Sequence, residues 1–195
     1  NTAILRIVYL QGGCFMLSWF WCFIIYSFAG CLMETVFCLL FNFSLESRKC
    51  MLLCALCPVY GLGGIAVASF AEPFKSSKII TFIIGMITAS LIEYIFDMYY
   101  KELLGVSFWD YSNRFLNING RVWIVYSVIW GILSLAIVYK FHPIVKNFSE
   151  KIPLQISLTM VLFFIADTIF SNYFMYRFST KNAVNLAWLF KQLNS

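Results

Sequence analysis

Carboxylates inside long apolar stretches are the residues of this sequence most able to do chemistry. Glu93 and Asp97 lie four residues apart in the stretch 82–97, and Glu34 lies in a similar stretch, 23–37. A carboxylate at membrane depth costs about 2.5 kcal/mol or more, so it usually faces a protein interior or a wet cavity. Held between desolvation and a nearby cation, such a group can exchange protons or bind a cationic solute. We therefore expect a functional site around Glu34 and Glu93.

A structural role is the alternative for these acids. A cation on a neighbouring helix or loop would pair with each carboxylate and clamp the helix ends, and the sequence offers Lys49, Arg114 and Arg121 for this role. Asp97 lies nearer the expected membrane surface than Glu93 does.

The polar and aromatic segment 100–121 lies between two apolar stretches. Irregular backbone near membrane depth is tolerated where it is buried in protein or lines a cavity, and the planar guanidinium of arginine suits a carboxylate or a phosphate. We expect substrate-binding residues here, namely Trp109, Asp110, Tyr111, Asn119 and Arg121. The alternative is an interfacial loop whose Trp and Tyr side chains belong to the aromatic belt of the membrane.

A second candidate segment is 57–64, with the sequence Cys-Pro-Val-Tyr-Gly-Leu-Gly-Gly. Its glycines allow helices to approach closely or allow backbone to face a ligand. Tyr60 is the substrate-binding candidate within it, and close helix packing alone is the alternative.

Composition indicates which elements must position these side chains. Of the 195 residues, 62% are hydrophobic and 12% are charged, whereas a soluble domain has about 45–50% and about 25%. Mean hydropathy is +0.82. Because about 20 apolar residues cross a hydrocarbon core of about 30 Å, we predict an all-α integral membrane protein that forms a single transmembrane domain, 1–195.

Five membrane-spanning helices are predicted, at 17–41, 53–71, 79–99, 122–141 and 154–174. Pro73, Pro143 and Pro153 are expected at helix boundaries, because proline lacks the N–H donor and its ring clashes with the preceding turn. The segment 183–193 is too short to span comfortably and is predicted to be an amphipathic interfacial helix.

The first and third apolar stretches resemble each other, which predicts an internal repeat. Aligned on Glu34 and Glu93, the matched pairs include Phe23 with Phe82, Leu32 with Leu91, and Phe37 with Phe96. The helices that follow match at Val59-Tyr60-Gly61-Leu62 and Ile129-Trp130-Gly131-Ile132. We interpret 17–71 and 79–141 as tandem helical hairpins, followed by helix 5 and the tail, 154–195, with a fainter third copy at Asp167-Thr168-Ile169-Phe170. Chance similarity between apolar helices is the alternative.

Five spans would place the unusual polar residues on one membrane face. If the N-terminus is on side A, helices 1, 3 and 5 all run towards the opposite side B. Glu34, Glu93 and Asp167 would then each lie roughly 8–10 Å below the surface of side B, at 1.5 Å per residue. The loops 42–52 and 100–121 are expected on side B as well.

Several kinds of site do not fit the sequence. The spacing Cys50-x3-Cys54-x2-Cys57 matches a radical-SAM cluster triad, but that triad needs a soluble barrel around it. The glycines at 61–64 lack the Lys-Ser/Thr of a phosphate-binding P-loop, and His142 is the one histidine. We expect no cofactor, no metal and no ATP hydrolysis by this chain, and its net charge of +5 gives no case for nucleic acid.

A set of motifs in a fixed order resembles the CmpB-like family of bacterial membrane proteins named for ABC-transporter type IV. The resemblance covers about residues 20–145 and rests on Phe28-Ala29-Gly30 with Glu34, Cys57-Pro58-Val59-Tyr60-Gly61, Glu93-Tyr94, Trp109-Asp110-Tyr111-Ser112, Asn119-Gly120-Arg121, Trp130-Gly131 and His142-Pro143. It implies a transport role in a bacterial inner membrane, with ATP hydrolysis by a separate subunit.

The sequence thus predicts a permease-like transport component with a polar cavity on side B, which binds a small polar solute or relays protons. Glu34 and Glu93 would line the cavity, with Asp110 and Arg121 over its mouth. The bilayer, a homo-oligomer and an ATPase subunit are the expected partners. Two other classes remain open: a membrane-embedded enzyme acting on a lipid or an isoprenoid-linked substrate, and a structural or regulatory membrane subunit.

Overall fold

A computed structural model describes residues 2–41 and 50–194 of the chain. The rest of the predicted loop 42–52, including Lys49, lies outside the described residues. Seven α-helices and one short β-hairpin are found there: α1 (Thr2–Phe41), α2 (Pro58–Ala71), α3 (Lys78–Met98), β1 (Asn117–Ile118), β2 (Val122–Trp123), α4 (Ile124–Ala136), α5 (His142–Ser149), α6 (Leu154–Phe178) and α7 (Leu186–Leu193).

Four helical segments in the described residues are long and apolar enough to cross a membrane. They are Phe15–Leu40 within α1, Lys78–Leu103, Ile124–Ser149 and Leu154–Phe178. Each exceeds the roughly 20 residues that a bilayer core requires. The all-α membrane class predicted from composition is thereby confirmed.

The second helix is shorter than predicted. It was expected over 53–71 but begins at Pro58, after Cys57 in an extended conformation. Its 14 residues reach about 21 Å at 1.5 Å per residue. Residues 50–57 are non-helical and mostly buried, and proline at the first position of α2 loses no hydrogen bond, because that N–H would have no helical partner.

The fourth helix does not end near Pro143, so that predicted boundary is wrong. One turn of π-helix, Ile137–Phe141, joins α4 to α5, and the helical segment continues to Ser149. The wider turn accommodates a proline, which removes a hydrogen bond and pushes against the carbonyl four residues earlier. Pro73 and Pro153 do mark boundaries, in a short 3-10 helix after α2 and immediately before α6.

Two predicted segments extend further than expected, and the tail is divided. A π turn carries the helical path of α3 to Leu103, and α6 continues to Phe178. The predicted helix 183–193 is found as a short 3-10 helix, Lys181–Val184, followed by α7. The Asn185 side chain accepts a hydrogen bond from the Trp188 amide and so caps α7.

The largest apolar cluster joins the C-terminal ends of α3 and α6 to the segment between α3 and β1. It contains Tyr100, Val106, Phe108, Met175 and Val184. At the opposite end, the Trp21 indole of α1 donates to the Ser157 hydroxyl at 2.8 Å. These contacts hold α6 against the rest of the helical bundle at both of its ends.

Gly61 and Gly63 provide a matched pair for testing how tightly α1 and α2 pack. A Cβ at Gly61 would lie 2.6 Å from the Phe23 ring, whereas a Cβ at Gly63 would meet nothing within 4 Å. Gly61→Ala should therefore lower the free energy of unfolding by about 1–3 kcal/mol, the usual cost of overpacking. Gly63→Ala should be neutral or should stabilise by up to about 1 kcal/mol through helix propensity. Denaturant titration in mixed micelles measures both, and equal effects would contradict the close packing of α1 on α2.

Candidate functional site

Glu93 is a buried carboxylate that is held by neutral donors. Its side chain lies on α3 and is 6% exposed. The Trp130 indole donates to Oε2 at 2.9 Å, and the Tyr111 hydroxyl donates to Oε1 at 3.3 Å. Within residues 2–41 and 50–194, no lysine, arginine or histidine forms an ion pair with Glu93.

Glu34, which aligns with Glu93 in the sequence, lies on α1 and accepts a hydrogen bond from the Tyr60 hydroxyl. Tyr60 fits here because a Cβ at Gly30 would overlap the Tyr60 side chain. The Tyr60 ring packs edge-on against Trp130, with the ring centroids 5.8 Å apart. Glu34 and Glu93 are thus joined through Tyr60 and Trp130, and we call these four residues and Tyr111 the polar centre.

Aromatic rings extend from the polar centre along α4. Tyr126 packs against Trp130 at 6.3 Å and against Tyr111 at 5.4 Å between ring centroids. Trp123 lies one turn earlier, 5.6 Å from Tyr126. Because positions three and four apart share one face of a helix, residues 123, 126 and 130 form a continuous aromatic surface next to the two glutamates.

Arg121 pairs with acids outside the polar centre. Its Nε lies 3.6 Å from Asp97 Oδ2, and its terminal nitrogen lies 2.6 Å from Glu102 Oε1. Lys101 also contacts Asp97, at 3.1 Å. The hydrogen bond to Glu102 raises the pKa of Arg121 above its usual value. The guanidinium therefore joins the end of α3 to the hairpin and lies against the Tyr94 ring at 5.1 Å.

Asp110 shapes the loop and does not point into the polar centre. Its exposed carboxylate accepts hydrogen bonds from the Ser112 hydroxyl at 2.6 Å and from the Ser112 amide at 2.9 Å. These two bonds hold the pKa of Asp110 below its usual range. The Tyr111 amide in turn donates to the Gly120 carbonyl at 2.8 Å, which helps to direct the Tyr111 hydroxyl towards Glu93.

A tight hairpin turn brings the two ends of the loop together. Asn119 and Gly120 both have positive φ, 54° and 68°, and the Arg121 amide donates to the Ile118 carbonyl. Asn-Gly is the preferred sequence for a turn whose two central residues have positive φ. The Asn119 amide also donates to the Tyr94 hydroxyl at 3.0 Å, and the Trp109 indole donates to the Arg121 carbonyl at 3.0 Å.

Asp167 is buried on α6 and binds the non-helical segment before α2. Its carboxylate accepts from the Leu53 amide at 3.0 Å and the Cys54 amide at 2.7 Å. Ser171, one turn later, donates to Asp167 at 3.1 Å and accepts from the Leu52 amide at 2.8 Å. Asp167 thus satisfies backbone donors that would otherwise lie unpaired in an apolar setting.

A cleft of about 610 Å³ lies between α3 and α6. Its walls are apolar and aromatic, and they include Phe23, Met51, Leu62, Phe96 and Phe164. None of the eight predicted site residues lines this cleft. Its volume is within the range of about 300–1,000 Å³ that is common for small-molecule pockets.

The eight predicted residues therefore divide into two groups. Glu34, Tyr60, Glu93 and Tyr111 meet in the polar centre. Trp109, Asn119 and Arg121 hold the hairpin against α3, and Asp110 forms a local turn. Trp130, which contacts both Glu93 and Tyr60, was not predicted as a site residue. Its alignment with Tyr60 was the signal that could have identified it.

In residues 2–41 and 50–194, no cluster of three or more His, Cys, Asp or Glu side chains is suited to a metal ion.

Comparison with known proteins gives one match. The sequence model of the family described as "Putative ABC-transporter type IV" matches residues 21–172, which include the whole polar centre and Asp167. No curated protein and no solved structure matches the chain. Because the match covers most of the 195 residues, the chain belongs to the CmpB-like family of ABC-transporter type IV membrane proteins.

Proposed function

We propose that this chain is the membrane-embedded component of a transport system and that its polar centre binds a small cationic solute or a proton. Membership of the ABC-transporter type IV family supports the transport role. The family name identifies no solute, so the chemical class has to come from the residues themselves.

The buried carboxylate of Glu93 is the observation that carries the proposal. It lies within the membrane-spanning segment Lys78–Leu103, and it accepts hydrogen bonds only from neutral donors among the described residues. An ionised carboxylate removed from water is strongly destabilised unless a cation accompanies it. Binding of a proton or of a cationic group next to Glu93 removes that penalty.

The aromatic surface beside the polar centre favours an ammonium group. Tyr60 contacts Glu34, Trp130 contacts Glu93, and Tyr126 packs against Trp130. Aromatic faces attract cations through their quadrupole, by about 0.5–1 kcal/mol when exposed and about 2 when desolvated. A carboxylate combined with aromatic rings fits a small amine cation better than an anion or an uncharged sugar.

The internal repeat and the five crossings are part of the proposal. Three contacts between the helices of the first hairpin have counterparts at the aligned positions of the second. The Glu34–Tyr60 contact corresponds to Glu93–Trp130. The Phe23–Gly61 contact corresponds to Phe82–Gly131, and Tyr26–Gly64 corresponds to Gly85–Ser134. Two hairpins of the same orientation are related by an axis along the membrane normal. In this arrangement α2 and the buried segment 50–57 together complete the second crossing, so that irregular backbone meets a helix end within the membrane, as in many transporters.

The assembly that we propose contains more than one chain. The segment 57–64 lacks the Lys-Ser/Thr of a P-loop, so a separate subunit would hydrolyse ATP. A homo-oligomer in a bacterial inner membrane would enlarge the small enclosure that five crossings provide.

The cleft between α3 and α6 favours a second candidate function, that of a membrane-embedded enzyme acting on a lipid or an isoprenoid-linked substrate. Its walls include Ile95 and Tyr99, which lie just beyond Glu93 on α3. A lipid chain could enter there from the side. Arg121, the residue expected to hold a phosphate, pairs with Asp97 and Glu102 instead, so we place this function second.

Thermal unfolding with solutes that differ in charge tests the proposal. We expect ethanolamine, choline and putrescine to raise the Tm of the purified protein, whereas ethylene glycol and glycolate at equal ionic strength should not. At 100 times Kd a ligand stabilises the folded state by about 2.7 kcal/mol, and a protein of this size then gains about 5–10 °C. The same shift with every charged solute would indicate a salt effect, and no shift with any cation would contradict binding of amine cations.

A further inference from the structure

We propose that Cys50 and Cys57 form a redox-active dithiol that a small apolar disulfide oxidises through the cleft between α3 and α6. The two sulfur atoms lie 3.3 Å apart. Both side chains are buried in the apolar cluster at the ends of α3 and α6. The inference does not depend on the proposed transport function, because the sulfur chemistry can be measured without a solute.

The geometry requires only a small movement for a bond to form. A disulfide has a sulfur–sulfur distance of about 2.05 Å, so the two atoms must approach by about 1.2 Å. The backbone between them is non-helical, and Cys57 has an extended conformation with φ −115° and ψ 97°. Such a segment can adjust without breaking a helical turn, whereas cysteines seven residues apart within one helix would be about 10 Å apart along its axis.

The cleft gives one of the two sulfurs a route to reagents. Cys50 contributes to the cleft wall beside Met51 and Pro58, whereas Cys57 does not line the cleft and is 1% exposed. Because the wall is apolar, a charged oxidant such as glutathione disulfide is disfavoured there. A small uncharged aromatic disulfide matches both the size and the polarity of the cleft.

The oxidation is a balanced thiol–disulfide exchange. The Cys50 sulfur attacks the reagent disulfide, which breaks the S–S bond, forms a mixed disulfide on Cys50 and releases one reagent thiol. The Cys57 sulfur then attacks the Cys50 sulfur and releases the second reagent thiol. Two protein S–H bonds and one reagent S–S bond are lost, one protein S–S bond is gained, and both protons end on the two released thiols.

Oxidation would constrain the segment that Asp167 holds. The new bond closes residues 50–57 into a ring, and the hydrogen-bonded amides of Leu53 and Cys54 lie within that ring. The start of α2 is then covalently tied to the beginning of the non-helical segment 50–57. The dithiol is therefore placed to fix or release this part of the second crossing according to its redox state.

Peptide mass spectrometry after oxidation tests the inference. The full chain in lipid nanodiscs is treated with 4,4′-dithiodipyridine, unfolded in the presence of N-ethylmaleimide and digested. We expect the Cys50–Cys57 cross-linked peptide to exceed the thiopyridyl adduct of Cys50 at least tenfold, and dithiothreitol to reverse the cross-link. A stable thiopyridyl adduct on Cys50 of the unmutated chain would overturn the proposal.

Two variants separate the pair from its neighbours. Cys57→Ser should leave the thiopyridyl group on Cys50, because no second sulfur displaces it. Cys31→Ala removes the thiol that forms a hydrogen bond with Cys57 and should leave the yield of the Cys50–Cys57 peptide unchanged. If neither Cys50 nor Cys57 reacts in the folded chain but both react after unfolding, the cleft does not admit the reagent and the proposal fails.

Discussion

Replacing Glu93 by glutamine should leave the protein folded and weaken its affinity for amine cations roughly 10–100-fold. The side-chain amide still offers an oxygen to the Trp130 indole, and its NH₂ group can donate to the Tyr111 hydroxyl, so the two positions that now contact Glu93 remain satisfied. Only the negative charge is lost. A hydrogen bond to a charged group contributes about 1.5–3 kcal/mol, which corresponds to roughly 10–100-fold in Kd.

The measurement is a titration of the Glu93→Gln variant with whichever cation gives the largest Tm shift in the unmutated protein. pH-difference infrared spectra in the same membranes test the proton alternative. If a proton is the ligand, acidification should produce a carbonyl stretch of protonated Glu93, seen as a component of the difference spectrum that the variant lacks. If an amine is the ligand, the Tm shift at the same ligand concentration should fall to about half or less in the variant.

Asp97→Asn is the matched control, because it neutralises an acid one turn further along the same helix. Asp97 already has cationic partners in Lys101 and Arg121. We expect this variant to lose about 1–3 kcal/mol of unfolding free energy and to retain cation binding. Unchanged binding in Glu93→Gln, or an equal loss in both variants, would contradict the assignment of the site to Glu93.

The membrane-spanning helices and the two glutamates could be predicted from the sequence because both signals are local. A run of about 20 apolar residues needs no tertiary contact to be recognised. A glutamate within such a run stands out, and its unfavourable desolvation implies a partner or a function. Glu34 and Glu93 were therefore identified together with Tyr60, which contacts Glu34.

The start of α2 could not be predicted because distant contacts determine it. Leu53 and Cys54 are apolar and lie next to a helical run, so hydropathy extends the helix through them. Their amides instead bind Asp167, more than 110 residues later in the chain. The helix boundary predicted at Pro143 was wrong because a π turn before the proline lets the helical segment continue past it.

The sequence of the loop 100–121 contains a turn signal, Asn119-Gly120, that predicts more of its structure than the expected sites did. Asn119-Gly120 between short β-forming residues predicts a tight hairpin turn, and that hairpin determines which side chains reach α3. Without it, Asp110 and Arg121 were expected over a cavity. The structure shows Arg121 paired with acids on the α3 path, and Asp110 in a local turn.

Replacing Asp167 by alanine should have the largest effect on stability in the described part of the chain. The carboxylate is fully buried and accepts from two backbone amides and one hydroxyl. Leaving a buried donor unsatisfied costs about 1–3 kcal/mol. Two amides without an acceptor should therefore lower the free energy of unfolding by about 4 kcal/mol, measured by denaturant titration in mixed micelles.

The control for this substitution is Asp110→Ala, because Asp110 also accepts a hydrogen bond from a backbone amide, that of Ser112, but is exposed. Water can replace the lost acceptor there, so we expect a change within about 0.5 kcal/mol. Hydrogen exchange locates the effect. In Asp167→Ala the amides of Leu53 and Cys54 should exchange at least tenfold faster than in the unmutated protein, whereas the exchange rates of the amides at the ends of α3 should change less. If those two amides keep their protection, Asp167 does not hold the non-helical segment 50–57. The position of α2 must then depend on its packing against α1, which the Gly61→Ala variant measures independently.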